Sequence, residues 1–143
     1  MLKTLNPLLT GELLAILADM GQGDDIAIVD ANFPADSMAQ RLVRLPGISA
    51  TDALDAILSL LPLDDFVDHP AAAMDAPGER PAIYPEFEAA LERAEGRALT
   101  LEPVERFAFY ARTQQAYAVV ATGERRLYAN IILKKGVVRT ADA

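Results

Sequence analysis

The run Ile26-Ala27-Ile28-Val29 limits the fold of this chain more than any other stretch, because it is wholly apolar, rich in β-branched residues and set between a glycine-bearing turn and Asp30. A strand with one wet face alternates polar and apolar residues. A strand with no polar position has to be buried on both faces, which requires packing layers on either side of its sheet. The preceding segment supplies one such layer: Leu13, Leu14, Leu17 and Met20 recur at intervals of three and four, the stripe of a helix over 10–20. Thr10 suits its N-cap, and Gly21 and Gly23 end it. The strand then delivers Asp30 at its carboxyl end, where open α/β sheets gather their ligands.

The same mixture continues along the chain. Leu54, Ile57, Leu58 and Leu61 predict a helix over 49–61 stopped by Pro62, and Phe87, Ala90, Leu91 and Ala94 predict another over 85–94 closed by Gly96. Between them, 63–81 reads as loops around a short strand or two. A strand is expected over 98–101, then a helix from Pro103 in its first turn to about Gln115. Strands over 117–121 and 128–133 flank a turn at Thr122-Gly123-Glu124, and Gly136 closes the second. Helix and strand alternate without an internal repeat or low-complexity linker, so the expectation is a single α/β domain over 1–143 built on a mixed sheet.

Composition narrows the chemistry. The absence of cysteine removes disulfides, thiolate metal sites and cysteine nucleophiles together. A formal charge of -8 opposes nucleic acid as a partner. No apolar run approaches the roughly 20 residues that span a bilayer, and no secretory pattern opens the chain, so no membrane association is expected and the cytoplasm is the expected location.

Taken singly, the polar residues say little. Asp after a strand is commonly a turn or cap residue, Arg106 on a helix is commonly solvated, and Tyr128 fits a half-buried strand position. The G-Q-G-D segment follows a helix and precedes a strand, the reverse of a phosphate-binding loop. Asp24 and Asp25 read as water-facing carboxylates without metal spacing, and His69, the sole histidine, as a surface residue. Phe107, Phe109 and Tyr110 must include core residues, since the helix has to bury one face.

Several islands nevertheless stand in a telling order: M-L-K-T at the start, M-G-Q-G-D-D at 20–25, D-A-N-F-P at 30–34, R-F-A-F-Y-A-R at 106–112, T-G-E at 122–124 and Y-A-N-I-I-L-K-K-G-V at 128–137. Together they resemble the ribose-pyranase and fucose-mutarotase family, nearer its fucose-mutarotase branch. The resemblance implies a three-layer α/β/α subunit, a ring-forming homo-oligomer that is commonly a decamer, and sugar sites near contacts between subunits. It implies an isomerase that interconverts anomers of fucose, ribose or a related aldose, without cofactor or metal. The family's ligand groups carry over to Asp30, Arg106, Tyr128 and Asn130, with the backbone of Ala129 beside them. Two positions depart from the family: Gln22 replaces a histidine credited with proton transfer, and Asn32 replaces a second histidine. An amide hydrogen-bonds but does not titrate between pH 5 and 8 as imidazole does. The leading expectation is therefore a mutarotase with Gln22, Asp30 and Tyr128 at the reacting centre. A non-catalytic monosaccharide-binding protein and an oligomeric scaffold with a vestigial site are the alternatives.

Overall fold

The computed structural model describes residues 1–140. The elements follow in the order α1 (Gly11–Asp19), β1 (Asp25–Val29), α2 (Ala35–Met38), β2 (Leu42–Leu45), α3 (Ala50–Leu58), β3 (Ala71–Met74), α4 (Ile83–Glu95), β4 (Glu102–Val104), α5 (Arg106–Gln115), β5 (Ala118–Thr122) and β6 (Ile131–Lys134). The strands form one sheet in the order β2-β5-β1-β6-β3-β4. It is mixed: β1 and β2 run parallel to β5, β3 runs parallel to β4, and β6 is antiparallel to both β1 and β3.

The apolar run occupies an inner strand of this sheet and is fully buried from Ile26 to Val29. Because successive side chains point to opposite faces, it feeds two cores. Ile26 and Ile28 pack with Leu13 of α1, Leu54 and Ile57 of α3, and Phe87 and Leu91 of α4. Ala27 and Val29 pack on the other face with Ala35 of α2 and Phe109 of α5. The result is the expected three-layer α/β/α arrangement. The Thr10 side chain caps α1 by accepting from the Leu13 amide, Ser49 caps α3 through the Asp52 amide, and Gly96 ends α4 in the left-handed conformation at φ 72°. No helix among the described residues is long and apolar enough to cross a membrane.

Several local expectations are corrected. The strand expected at 98–101 forms at Glu102–Val104, and Pro103 lies within it rather than in a helix. This is one of the two edge strands, bonded only to β3, and an edge position tolerates the loss of the donor that proline lacks. Glu105 becomes the N-cap of α5, accepting from the amides of Phe107 and Ala108. One strand, β3, forms between 63 and 81, helped by an isolated bridge between Leu63 and Lys135. Helix α3 ends at Leu58, ahead of Pro62. Segments α2 and β2 had no expectation at all; β2 is a four-residue edge strand with Val43 and Leu45 buried and Arg44 exposed, too short for its alternation to stand out.

Gly123 shows how tightly the loops at the carboxyl ends of the strands are joined. Its amide donates to the Ile48 carbonyl at 2.8 Å, and a Cβ there would lie 2.5 Å from the Gly47 nitrogen. Since the obstacle is main chain, Gly123→Ala is expected to cost about 1–3 kcal/mol, the usual range for overpacking. Urea denaturation checks this, and a change within about 0.5 kcal/mol, the scatter of neutral surface substitutions, would show that the loop yields.

Candidate functional site

Asp30 sits directly after β1 and is only 5% exposed. Its amide donates to Asn130 Oδ1 at 2.8 Å, and its own Oδ1 accepts from the Asn32 amide at 2.9 Å. The first of these bonds fixes which way the Asn130 amide points, leaving its NH2 group on the side of the Asp30 carboxylate. Asn130 stands immediately before β6, and β6 is antiparallel to β1, so the start of one strand meets the end of the other.

The 128–130 segment is a tight turn rather than the beginning of a strand. Tyr128 has φ 59°, a left-handed conformation that costs a non-glycine residue about 1–2 kcal/mol, and the Asn130 amide closes back onto the Tyr128 carbonyl at 2.9 Å. Strain of this kind persists where surrounding contacts over-determine it, commonly at functional sites. Here it brings Tyr128 and Asn130 to one cavity while Ala129 is buried behind them. From the opposite side, Arg106 opens α5, and its Nε donates to the hydroxyl of Tyr110 one turn later at 3.3 Å. Arg106 makes no ion pair with the described carboxylates, and Phe33 packs edge-on against Tyr110 with centroids 5.5 Å apart.

These groups enclose a cavity of about 260 Å³ lined by Asp30, Asn32, Phe33, Pro34, Met74, Arg106, Tyr110, Leu127, Tyr128 and Asn130. Burial pushes the Asp30 carboxyl above the ordinary carboxylate range, against the opposing pull of hydrogen bonds from Asn32, Asn130, Phe33 and Ala129. The chemistry on offer is a partly desolvated carboxylate, two amides, a guanidinium and two phenols, facing an apolar wall. That mixture suits a small molecule with several hydroxyls and one greasy edge. Among the described residues no cluster of His, Asp and Glu could hold a metal ion.

Five of the seven residues singled out in the sequence, Asp30, Asn32, Arg106, Tyr128 and Asn130, line this one cavity, and Ala129 backs it. Gln22 does not line it. It is exposed in the turn ahead of β1, the length of a five-residue strand, about 17 Å, from Asp30. That turn is firmly held: the Gly23 amide donates to the Lys135 carbonyl, the Gly21 amide donates to the Asp24 carboxylate, and Lys135 Nζ caps the end of α1 at the Leu17 carbonyl. The sequence groups Tyr110 with Phe107 and Phe109 as core candidates, and Phe33 and Met74 are not among the expected site residues. The spacing of Arg106 and Tyr110, one helical turn, was the available signal for Tyr110; Met74 carried none.

Comparison with known proteins gives the family. The model of the RbsD / FucU transport protein family matches residues 3–138. An L-fucose mutarotase of Glaesserella parasuis is 46% identical over 140 residues, covering 96% of each chain, and one of Actinobacillus pleuropneumoniae is 44% identical over 140 residues, covering 96% of this chain and 97% of its own. The crystal structure of the fucose mutarotase from Streptococcus pneumoniae in complex with L-fucose superposes with a TM-score of 0.91 at 42% identity, covering 96% of this chain and all of that one. With the family match spanning nearly its whole length and relatives this similar, the chain belongs to the RbsD / FucU family.

Proposed function

We propose that the protein is a mutarotase that interconverts the anomers of L-fucose or a closely related aldose. The observation that carries this reading is the convergence of Asp30, Asn130, Tyr128 and Arg106 on one sugar-sized cavity, in a chain whose relatives are named L-fucose mutarotase. Opening an aldose ring moves two protons. Asp30 accepts the proton of the anomeric hydroxyl, the bond between the anomeric carbon and the ring oxygen breaks, and a phenol, Tyr128 or Tyr110, gives a proton to the ring oxygen. The open-chain aldehyde rotates and closes by the reverse path, returning each proton. Arg106 and Asn130 hold the remaining hydroxyls, and Phe33, Pro34, Met74 and Leu127 offer an apolar surface to a deoxy position.

Gln22 enters this scheme from a neighbouring copy in a homo-oligomer, for which we take the ring-shaped decamer. Support comes from its exposure on a rigid turn and from its side chain having no hydrogen-bond partner among the described residues. The cytoplasm is the proposed place of work.

The second reading, a monosaccharide-binding protein without turnover, draws on the cavity's lack of imidazole. The sole histidine, His69, is exposed and faces the Thr100 carbonyl instead. Magnetisation-exchange NMR with a panel of sugars decides between them. Faster exchange between fucose anomers with enzyme than without supports the mutarotase. Saturation transfer to the sugar with no gain in exchange supports the binding protein, and no transfer from any sugar removes both.

A further inference from the structure

Glu124 is 7% exposed and lies outside the cavity, yet the two loops that build the cavity meet on it. Its carbonyl accepts from the Ala31 amide at 2.8 Å, tying it to the loop that carries Asp30 and Asn32. Its carboxylate accepts from the Arg125 and Arg126 amides at 3.0 and 3.2 Å, which curls the start of the loop that carries Tyr128 and Asn130. The other carboxylate oxygen accepts from the Ala50 amide at 3.3 Å, anchoring both loops to the first turn of α3. Thr122 completes the junction, accepting from the Glu124 amide and donating to the Val29 carbonyl at 2.7 Å. Arg126 clasps the carboxylate through Nε and one terminal nitrogen and reaches Glu86 on α4 with the other.

We propose that Glu124 is the positioning residue of the cavity, holding the 124–130 loop against the 30–34 loop so that Asp30, Tyr128 and Asn130 share one space. The carboxylate is suited to this because it only accepts, and every group turned toward it is a donor. An amide at the same place has one accepting oxygen and turns two N–H bonds either toward the donors of Arg125 and Arg126 or toward those of Ala50 and Arg126. The outer pair with Glu86 adds little, since both side chains are more than two-fifths exposed and water screens them. The functional part of the proposal rests on the mutarotase reading; the junction itself does not.

The test compares Glu124→Gln with the wild type by amide hydrogen exchange and by titration with L-fucose. Expected are a tenfold or greater loss of protection at the Asp30 and Ala31 amides, unchanged protection of the β1 amides from Ile26 to Ile28, and a tenfold or greater rise in Kd for L-fucose. Glu86→Gln, which removes only the outer pair, is expected to leave all three as they were. Protection that stays at the wild-type level, that falls evenly across the sheet, or that falls locally while Kd is unchanged overturns the proposal. If Glu124→Gln does not fold, Arg126→Gln takes its place, with a several-fold local loss expected and the same outcomes against it. A wild type that binds neither L-fucose nor any other sugar of the panel sinks the mutarotase reading alone, because the local exchange pattern still decides the role of Glu124.

Discussion

Asp30→Asn is expected to lower the rate of anomer exchange by about 10²–10⁴-fold, the usual contribution of a placed acid or base, without lowering thermal stability at neutral pH. The first half follows from removing the group proposed to take the anomeric proton. The second follows from the sign of the linkage. Burial raises the folded-state pKa of Asp30 above its ordinary value of 3.8, so the folded protein holds this proton more tightly than the unfolded chain. Stability contributed by that extra proton is complete below the ordinary value and lost as pH rises through the folded one. At neutrality the full cost of a buried charge is therefore present, and the uncharged amide of the variant does not carry it. The amide oxygen can still accept from the Asn32 amide, so the local turn survives. Although the new NH2 group faces the donors of Asn130 and Ala129, that loss is smaller than the burial penalty it removes, since burial outweighs those hydrogen bonds in the wild type. The melting temperature of the variant should equal or exceed that of the wild type at pH 7, with any advantage shrinking as pH falls through the raised folded-state value and gone below the ordinary value of 3.8. A variant that keeps its exchange rate, or melts several degrees lower at pH 7, would show that the carboxylate serves the fold and not the reaction.

Gln22→His is expected to raise the exchange rate by about 10- to 10²-fold and to introduce an inflection near the ordinary histidine pKa of about 6.5. An amide can orient a hydroxyl but does not carry a proton, whereas imidazole does both. The turn that presents residue 22 is fixed by backbone bonds from Gly21 and Gly23, so the new side chain inherits its position. The gain should appear only in the assembled protein. Within one chain, residue 22 lies a strand's length from Asp30, too far for a side chain to bridge, so dilution below the assembly threshold should remove the increase while leaving any single-chain binding. An unchanged rate and a flat pH profile in the assembled variant would reject a reacting role for this position.

The helices were legible where a stripe and its punctuation coincide. The α1 stripe begins after Thr10 and stops at the Gly21–Gly23 turn, and the fold uses Thr10 as its cap. Helix α4 ends on Gly96 because glycine takes the left-handed conformation without a steric cost. Failures came where tertiary context overrides a local rule. Pro103 looks like a helix start from its own chemistry, but an unpaired sheet edge accepts it equally well, and only the strand order decides. Tyr128 reads as a strand aromatic by residue type, whereas the chain places it in a left-handed turn ahead of β6.

The sequence by itself determined that β1 is buried on both faces, that helical layers cover it, and that Asp30 emerges at its carboxyl end, because hydrophobic periodicity and capping act within a few residues of where they are written. Tertiary structure alone decided that Asp30, Arg106, Tyr128 and Asn130 meet while Gln22 stands at the far end of the same strand. Their meeting depends on β6 running antiparallel beside β1, a pairing between segments about a hundred positions apart that no local pattern encodes. The buried environment that raises the Asp30 pKa exists only once those segments have closed around it.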